Sequence, residues 1–404
     1  MSGRGLSRRE LLCCGAALPA AAMCLPQPFA RAARLLDPDV DGRVLVIVQL
    51  TGGNDGLNTV VPFADDAYHR ARPVLAVPAS QVVRLTDDTG LHPALAPLRK
   101  PFEEGRLAVV RGVGPPQPDR SHFRSMEIWH TASEAEPAPA AGWIGTAAPR
   151  LGAGVPVVRA GGRDLPLAVT GSAVQPPALA SLDDLLLRAA GGGSASAQRA
   201  RLARACTSRA GRGGEAAWLA GAQDEALDFA DRLRGLHGSA PSELPGGELG
   251  RALGLVALLV GARLGVRVAY VTQEGYDTHA RQADAQASLL RELGAALAGF
   301  DARLADQGDR DRVALLVFSE FGRRVRENAS GGTDHGAGNP VLLLGGKVRG
   351  GVLGAPPELS GDDEHDVPVT LDFRRAYAAA LAWLGVPPAA ALPGDFEPLP
   401  VLAG

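Results

Sequence analysis

Cysteine is scarce, with four residues in 404, and three of these (Cys13, Cys14 and Cys24) fall near the start of the chain. Cys206 is then alone, which excludes an intramolecular disulfide beyond the N-terminal segment and any cysteine-based metal site. An excess of basic charge is also missing: 41 Lys and Arg face 44 Asp and Glu, for a formal net charge of −3. With no basic stripe, nucleic acid is not an expected partner. Beyond the N-terminal segment no run is long and apolar enough to span a membrane. Aromatics are only 4%, whereas Gly (51) and Pro (31) are plentiful, a balance that suits a loop-rich α/β protein. At 46% hydrophobic and 21% charged, the chain is globular rather than disordered or fibrous.

The N-terminal segment reads as a sorting signal and not as part of the fold. Ser7-Arg8-Arg9-Glu10-Leu11-Leu12 opens an apolar stretch that ends in Ala30-Arg31-Ala32. Twin arginines, a modest apolar region and a small-residue site describe a Tat export signal over residues 1–32, cleaved near Ala32; an ordinary secretory signal or a short anchor is the alternative. The expected location is periplasmic or secreted. Tat cargo crosses already folded and can carry a loaded metal, and a chain without disulfides is consistent with that route.

The stretch VLVIVQLTGGNDGLN, residues 44–58, organises the rest. Its unbroken apolar run reads as a strand buried on both faces of a parallel sheet. The glycine-rich loop that follows carries Asn54 and Asp55 to the place where open α/β sheets bind ligands; an Asx-turn that closes the connection is the other reading. Further strands are expected at 107–110, 167–170, 266–272, 312–318 and 341–344. Helices are expected at 62–68, 91–104, after Asp119 or Ser121, and at 249–264, 283–304 and 373–384. Residues 190–250 carry no motif and read as a helical insertion or cap. Residues 344–354 read as a glycine-rich hairpin. Alternating buried strands and helices argue for a mostly parallel sheet covered on both faces.

Asp55, Asp277, His279, Glu320, Asp334 and His335 each sit in a glycine-flanked loop at or shortly beyond the end of an expected strand. In a parallel sheet such loops gather along one edge. Carboxylates and neutral imidazoles are ligands for Zn²⁺, Mn²⁺ and similar ions, which activate water or a hydroxyl and clamp phosphoryl oxygens. Ser121 stands where a helix N-terminus would favour its alkoxide, or else it simply caps that helix. Arg323 could hold an anionic group. His122 and His130 are read equally as ligands or as structural histidines.

The motifs VQLTGGNDGLNTVVP, GYDTHARQ, FSEFGRR and GTDHG, together with SHF, GWIG and the Tat-like leader, resemble the DUF1501 family, which is grouped with the alkaline phosphatase/sulfatase-like superfamily. The resemblance spans about residues 43–390. It implies a three-layer αβα sandwich with a metal site at the strand ends, held by Asp55, Asp277, His279, Glu320 and His335. It differs from that superfamily in placing Glu320-Phe321 where an Asp-His pair is usual, and in setting Asp277 and His279 two apart instead of four. Ser121 is the candidate nucleophile, although Ser121-His122 also resembles an Asn-His pair that follows the nucleophile in some members. Asn54, His122 and Arg323 are candidates for substrate binding.

The expectation is an exported metal-dependent hydrolase of phosphate or sulfate esters. Its cofactor would be a divalent metal, Zn or Mn ahead of Mg or Ca, and its partner a small anionic ester. The rival is a non-catalytic protein on the same scaffold that partners another exported protein or a surface glycan.

Overall fold

Strand β1 (Val44–Leu50) is buried at every position, and its side chains divide by parity between two apolar layers. Val44, Val46, Val48 and Leu50 join one cluster, while Leu45 and Ile47 join another on the opposite face. A strand packed on both sides cannot alternate apolar with polar residues, which is why VLVIVQL runs unbroken. The computed structural model describes residues 42–152, 156–171, 175–181, 243–361 and 365–402. The leader at 1–32, Cys206 and nearly all of the stretch 190–250 lie outside the described residues.

After β1 come the short helix α1 (Gly56–Thr59), β2 (Val60–Val61), α2 (Asp66–Ala71), β3 (Val83–Arg84) and β4 (Gly90–Leu91). The strands β2, β4 and β3 form a small separate sheet. A 3-10 segment, Pro93–Leu98, and α3 (Arg99–Glu103) lead to β5 (Leu107–Gly114). Then follow α4 (His122–Thr131), α5 (Trp143–Ala147), β6 (Val157–Ala160) and β7 (Ala178–Leu179). The remainder is α6 (Gly247–Gly261), β8 (Val268–Gln273), α7 (Gln282–Asp306), β9 (Val313–Ser319), β10 (Asn339–Gly345), β11 (Gly351–Leu353), β12 (Leu371–Asp372) and α8 (Arg374–Trp383).

The main sheet has the order β11-β5-β10-β9-β1-β8-β6-β7, with β12 also on β5. β10 runs antiparallel to both of its neighbours, and the remaining pairs are parallel. Helices α6 and α7 cover the face that takes Val44, Val46 and Val48. Helices α4, α5 and α8 cover the other face. The fold is a three-layer αβα sandwich with a mostly parallel central sheet.

Helix α7 shows how sequence sets this packing. Leu290, Leu293, Leu297, Phe300 and Leu304 recur at helical spacing and are all buried, a stripe that docks on the sheet through α6. Each fully buried Leu or Phe contributes about 1.5–3 kcal/mol of transfer free energy.

Three local expectations differ from the structure. Residues 167–170 form a 3-10 turn, Leu167–Val169, because a short apolar run after Pro166 has no periodicity to separate a strand from a tight turn. Residues 344–354 do not make a hairpin: β10 and β11 lie on opposite sides of β5, so the glycines carry the chain past the strand end. The helix expected at 91–104 is split between the end of β4, the 3-10 segment and α3, since Pro97 and Pro101 interrupt regular α-helical bonding.

Because strands β5, β9, β1 and β8 share a direction, their carboxyl ends lie along one edge. β10 is reversed, so its amino end lies there too. That edge collects the loops at 51–55, 115–121, 274–281, 320–324 and 333–338.

Candidate metal centre

The loop after β8 is pressed against the loop after β1. Tyr276 N donates to Thr51 O (3.1 Å), and Gly52, at φ +117°, faces Asp277 so closely that a Cβ there would lie 2.5 Å from Asp277 N. Only glycine fits that contact and that backbone conformation. The approach fixes Asp277 beside the end of β1. The loop at 328–334 backs the next turn, with Asn328 Nδ2 donating to His279 O (3.0 Å) and to Asp334 Oδ1 (3.1 Å).

Three imidazoles converge on one carboxylate oxygen. Asp277 Oδ1 lies 3.0 Å from His279 Nε2, 3.3 Å from His335 Nε2 and 3.6 Å from His122 Nε2. His122, Asp277 and His335 each offer a ligand atom within 4.8 Å of one another, and His279 Nε2 lies 2.8 Å from His335 Nε2. Each ring is held from behind through Nδ1: His122 by Glu320 Oε1 at 3.0 Å, His279 by Asp334 Oδ1 at 3.3 Å and His335 by Arg120 O at 2.8 Å. An acceptor at Nδ1 assigns the hydrogen of a neutral ring to that atom and leaves Nε2 as a lone pair. The ring faces also pack together, with Phe321 against both His122 (4.9 Å) and His335 (4.7 Å).

Glu320 is fully buried and its oxygens are occupied. Oε1 accepts from Gly52 N (2.8 Å) and pairs with His122, and Oε2 accepts from Ser319 Oγ (3.0 Å). It therefore stands behind His122, as carboxylates stand behind metal-ligating histidines. Burial works against its charged form, but the His122 hydrogen bond and backbone donors hold its carboxyl below the ordinary value. In return Glu320 raises His122 above the ordinary imidazole value. Burial, in contrast, lowers His335.

Arg323 forms the floor. It is buried (1% exposed), and its guanidinium donates to Gly53 O (2.6 Å), Gly52 O (2.6 Å), Thr333 O (2.8 Å) and Asp277 Oδ1 (2.8 Å). Burial opposes ionisation of Asp277, yet the Arg323 guanidinium outweighs it and the carboxyl is held down at about 2. With neutral imidazoles, the three carboxylates of Asp277, Glu320 and Asp334 face two guanidiniums, Arg323 on Asp277 and Arg324 on Asp334, so the cluster is short of positive charge. His122 Nε2 is moreover buried without a hydrogen-bond partner. An orphaned ring nitrogen beside convergent lone pairs and an ionised carboxylate fits a divalent cation.

The structure thus brings together Asp277, His279 and His335, adds His122, and sets Glu320 and Arg323 directly behind them. It does not bring Asp55, Asn54 or Ser121 into that group. Asp55 is 1% exposed; its Oδ2 pairs with Arg72 Nη1 (2.6 Å) and accepts from Gln282, and its Oδ1 caps α1 at Asn58 N (3.4 Å). Asn54 is buried, with its side chain bonded to Thr59 (2.9 Å). Ser121 is the N-cap of α4, accepting from Arg124 N (3.5 Å), as the capping alternative anticipates. Sequence reasoning missed Arg72, Gln282 and Gln286 around Asp55. The last two were legible in principle, since the stripe of α7 extended backward from Leu290 in steps of four meets both.

Comparisons with known proteins place this geometry in context. The profile of a family described as "Protein of unknown function (DUF1501)" matches residues 197–387, slightly under half of the chain. That segment holds Asp277, His279, Glu320, Arg323 and His335 but not Asp55 or His122. No curated protein matches the chain. Among solved structures, the lipoteichoic acid synthase LtaP from Listeria monocytogenes aligns over 92% of this chain and 77% of its own, at 8% identity and a TM-score of 0.41. The PsFucS1 sulfatase from Pseudoalteromonas sp. aligns over 92% and 72%, at 11% identity and a TM-score of 0.37.

Proposed function

We propose that this chain is a metal-dependent hydrolase of phosphate or sulfate esters, with the ion held by His122, Asp277, His279 and His335. The observation that carries the metal is the convergence of three imidazole Nε2 atoms on Asp277 Oδ1, each ring tied back through Nδ1. The ester class follows from the motif resemblance. The nitrogen-rich donor set favours a zinc- or manganese-type ion over calcium or magnesium, which take oxygen ligands.

A divalent ion at such a set polarises an ester oxygen and lowers the pKa of a water toward neutrality. The chain's own residues supply orientation. Glu320 fixes the tautomer of His122, Asp334 that of His279, and the Arg120 carbonyl that of His335. Arg323 keeps Asp277 ionised and immobile. With Ser121 engaged as a helix cap, water is the attacking group in this reading. The setting is periplasmic or secreted, following the Tat-like leader.

Metal analysis of protein purified without chelator tests the reading, with about one divalent ion per chain expected. A panel of aryl phosphate monoesters, diesters and sulfates then tests catalysis, using Asp277→Ala and His335→Ala as controls. A metal-free chain, or turnover indifferent to both substitutions, would falsify it.

One observation favours the non-catalytic alternative. Arg323 already places a fixed cation on Asp277, so a scaffold that binds a partner protein or glycan needs no metal there. Full stability and an unchanged thermal midpoint after chelation would select that reading.

A further inference from the structure

The metal centre opens onto a cleft of about 560 Å³, and the lining of that cleft is chemically one-sided. His122, Asp277 and Glu320 form the wall shared with the site. Away from it the lining is Phe123, Met126 and Leu167 on the apolar side, with Glu127 and Glu274 as ionisable groups. No lysine or arginine lines it among the described residues. Phe123 is 89% exposed on the first turn of α4, an aromatic ring with no packing role of its own.

His130 also borders the cleft and is itself buried. Its Nε2 bonds Gln49 Oε1 (2.9 Å), and Gln49 Nε2 donates in turn to Thr51 Oγ1 (2.9 Å). That orientation assigns the ring hydrogen to Nε2 and leaves Nδ1 as a lone pair. Burial brings His130 down to about 4, so it offers no positive charge near neutrality.

The two ends of the cavity are therefore opposite in character. The end at the centre carries, on the reading above, a divalent ion suited to an anionic ester group, with the buried Arg323 guanidinium engaged beneath it. The other end presents Glu274, Glu127, which also pairs with Arg124 (3.3 Å), and the Phe123 face, which attract cations and repel anions. A substrate matched to both ends is zwitterionic.

We infer that the cleft receives the alcohol portion of the ester and selects a small amino alcohol, whose charged nitrogen lies between Glu127, Glu274 and the Phe123 ring. This inference rests on the ester-hydrolase reading for its anionic end. The nitrogen end stands on the cleft alone and can be read by binding.

The probes are choline phosphate and choline sulfate against their uncharged carbon isosteres, 3,3-dimethylbutyl phosphate and sulfate. Calorimetric titration uses the full metal-loaded chain. The charged member of each pair should bind about tenfold tighter, from one cation–π contact and two partly exposed ion pairs. Glu127→Gln combined with Glu274→Gln should narrow that ratio to about twofold, and Phe123→Ala should narrow it further. Neither of these surface changes removes a core contact, and thermal midpoints verify folding.

Equal binding of charged and neutral members, a ratio that survives the substitutions, or no binding of either at millimolar concentration would overturn the inference. Turnover of neither pair with the charge preference intact in titration would defeat hydrolysis and leave this inference standing; turnover without charge preference would do the reverse. Competition by dihexanoylphosphatidylcholine at concentrations like those of choline phosphate would assign a lipid headgroup as the source. Competition by the free ester alone would assign a soluble metabolite. Either supports the cationic alcohol.

Discussion

His279 and His335 meet nitrogen to nitrogen, with Nε2 atoms 2.8 Å apart. Two lone pairs at that distance repel unless a proton or a cation lies between them, and both rings have oxygen acceptors at Nδ1 that favour the lone-pair tautomer at Nε2. The pair is a stored demand for positive charge. Addition of Zn²⁺ or Mn²⁺ to chelator-treated protein should raise its thermal midpoint, with a gain near 2.7 kcal/mol at a hundredfold excess over Kd. His335→Ala should abolish the gain, as scanning calorimetry would show.

Glu320 never needs to touch the ion to control its affinity. Glu320→Gln keeps the shape but lets His122 rotate or change tautomer, and should weaken metal binding about 10- to 100-fold. Asp334→Asn should act the same way through His279, to a smaller extent because Asp334 is half exposed. Competition with a calibrated chelator measures both, and affinities within twofold of the parent would sink the orienting role.

The Asp55–Arg72 ion pair is a stability element. Both side chains are fully buried, and removing one partner leaves an uncompensated charge in the interior. Arg72→Ala should cost about 3–5 kcal/mol in urea unfolding. Asp55→Asn should cost less, since the amide still accepts from Gln282. Metal content of the folded fraction should hold in both, and loss of the ion in Asp55→Asn would return Asp55 to the ligand set.

Acid should destabilise the protein through its buried histidines before its carboxylates matter. Burial lowers His130, and likewise His92, from the ordinary 6.5 to about 4. A depressed imidazole means that the folded state disfavours the proton, so this stability is fully present above pH 6.5 and is lost as pH falls through about 4. For His130 the contribution is roughly 3 kcal/mol. His130→Gln, which keeps a donor toward Gln49, should flatten part of the midpoint-versus-pH curve between those limits. An unchanged curve would show that His130 is not the group responsible.

Ser121→Ala separates the nucleophile from the cap. As a cap with a long 3.5 Å contact, Ser121 should contribute about 0.5–1 kcal/mol to stability, and ester turnover should persist in the alanine variant. Loss of turnover with metal retained would make the hydroxyl the attacking group.

Much of this was legible because buried parallel strands and glycine-flanked loops leave strong marks. The run at β1 and the Asp277-x-His279, Glu320 and Asp334-His335 loops could be placed on one edge from spacing alone. What could not be read was who faces whom. Glu320 and His122 are 198 positions apart, and nothing in either motif says that the carboxylate stands behind the imidazole. Asp55 looked open because its partner Arg72 reads as an ordinary basic residue at the end of a surface helix. The short strands β2, β3, β4, β6, β7, β11 and β12 were missed because two to four residues carry too little periodicity to separate them from loops.

The reversed direction of β10 has a kinetic consequence. Glu320, Arg323, Asp334 and His335 all lie on the single excursion between β9 and β10, an antiparallel pair that a short chain closure can form. Asp277 and His279 follow β8, which meets β9 only through β1, and His122 joins across a separation of 198 positions from Glu320. Loop-closure cost rises with the logarithm of length, and long-range pairings come late. Glu320, Arg323, Asp334 and His335 thus need only a local closure, whereas Asp277, His279 and His122 wait on long-range ones.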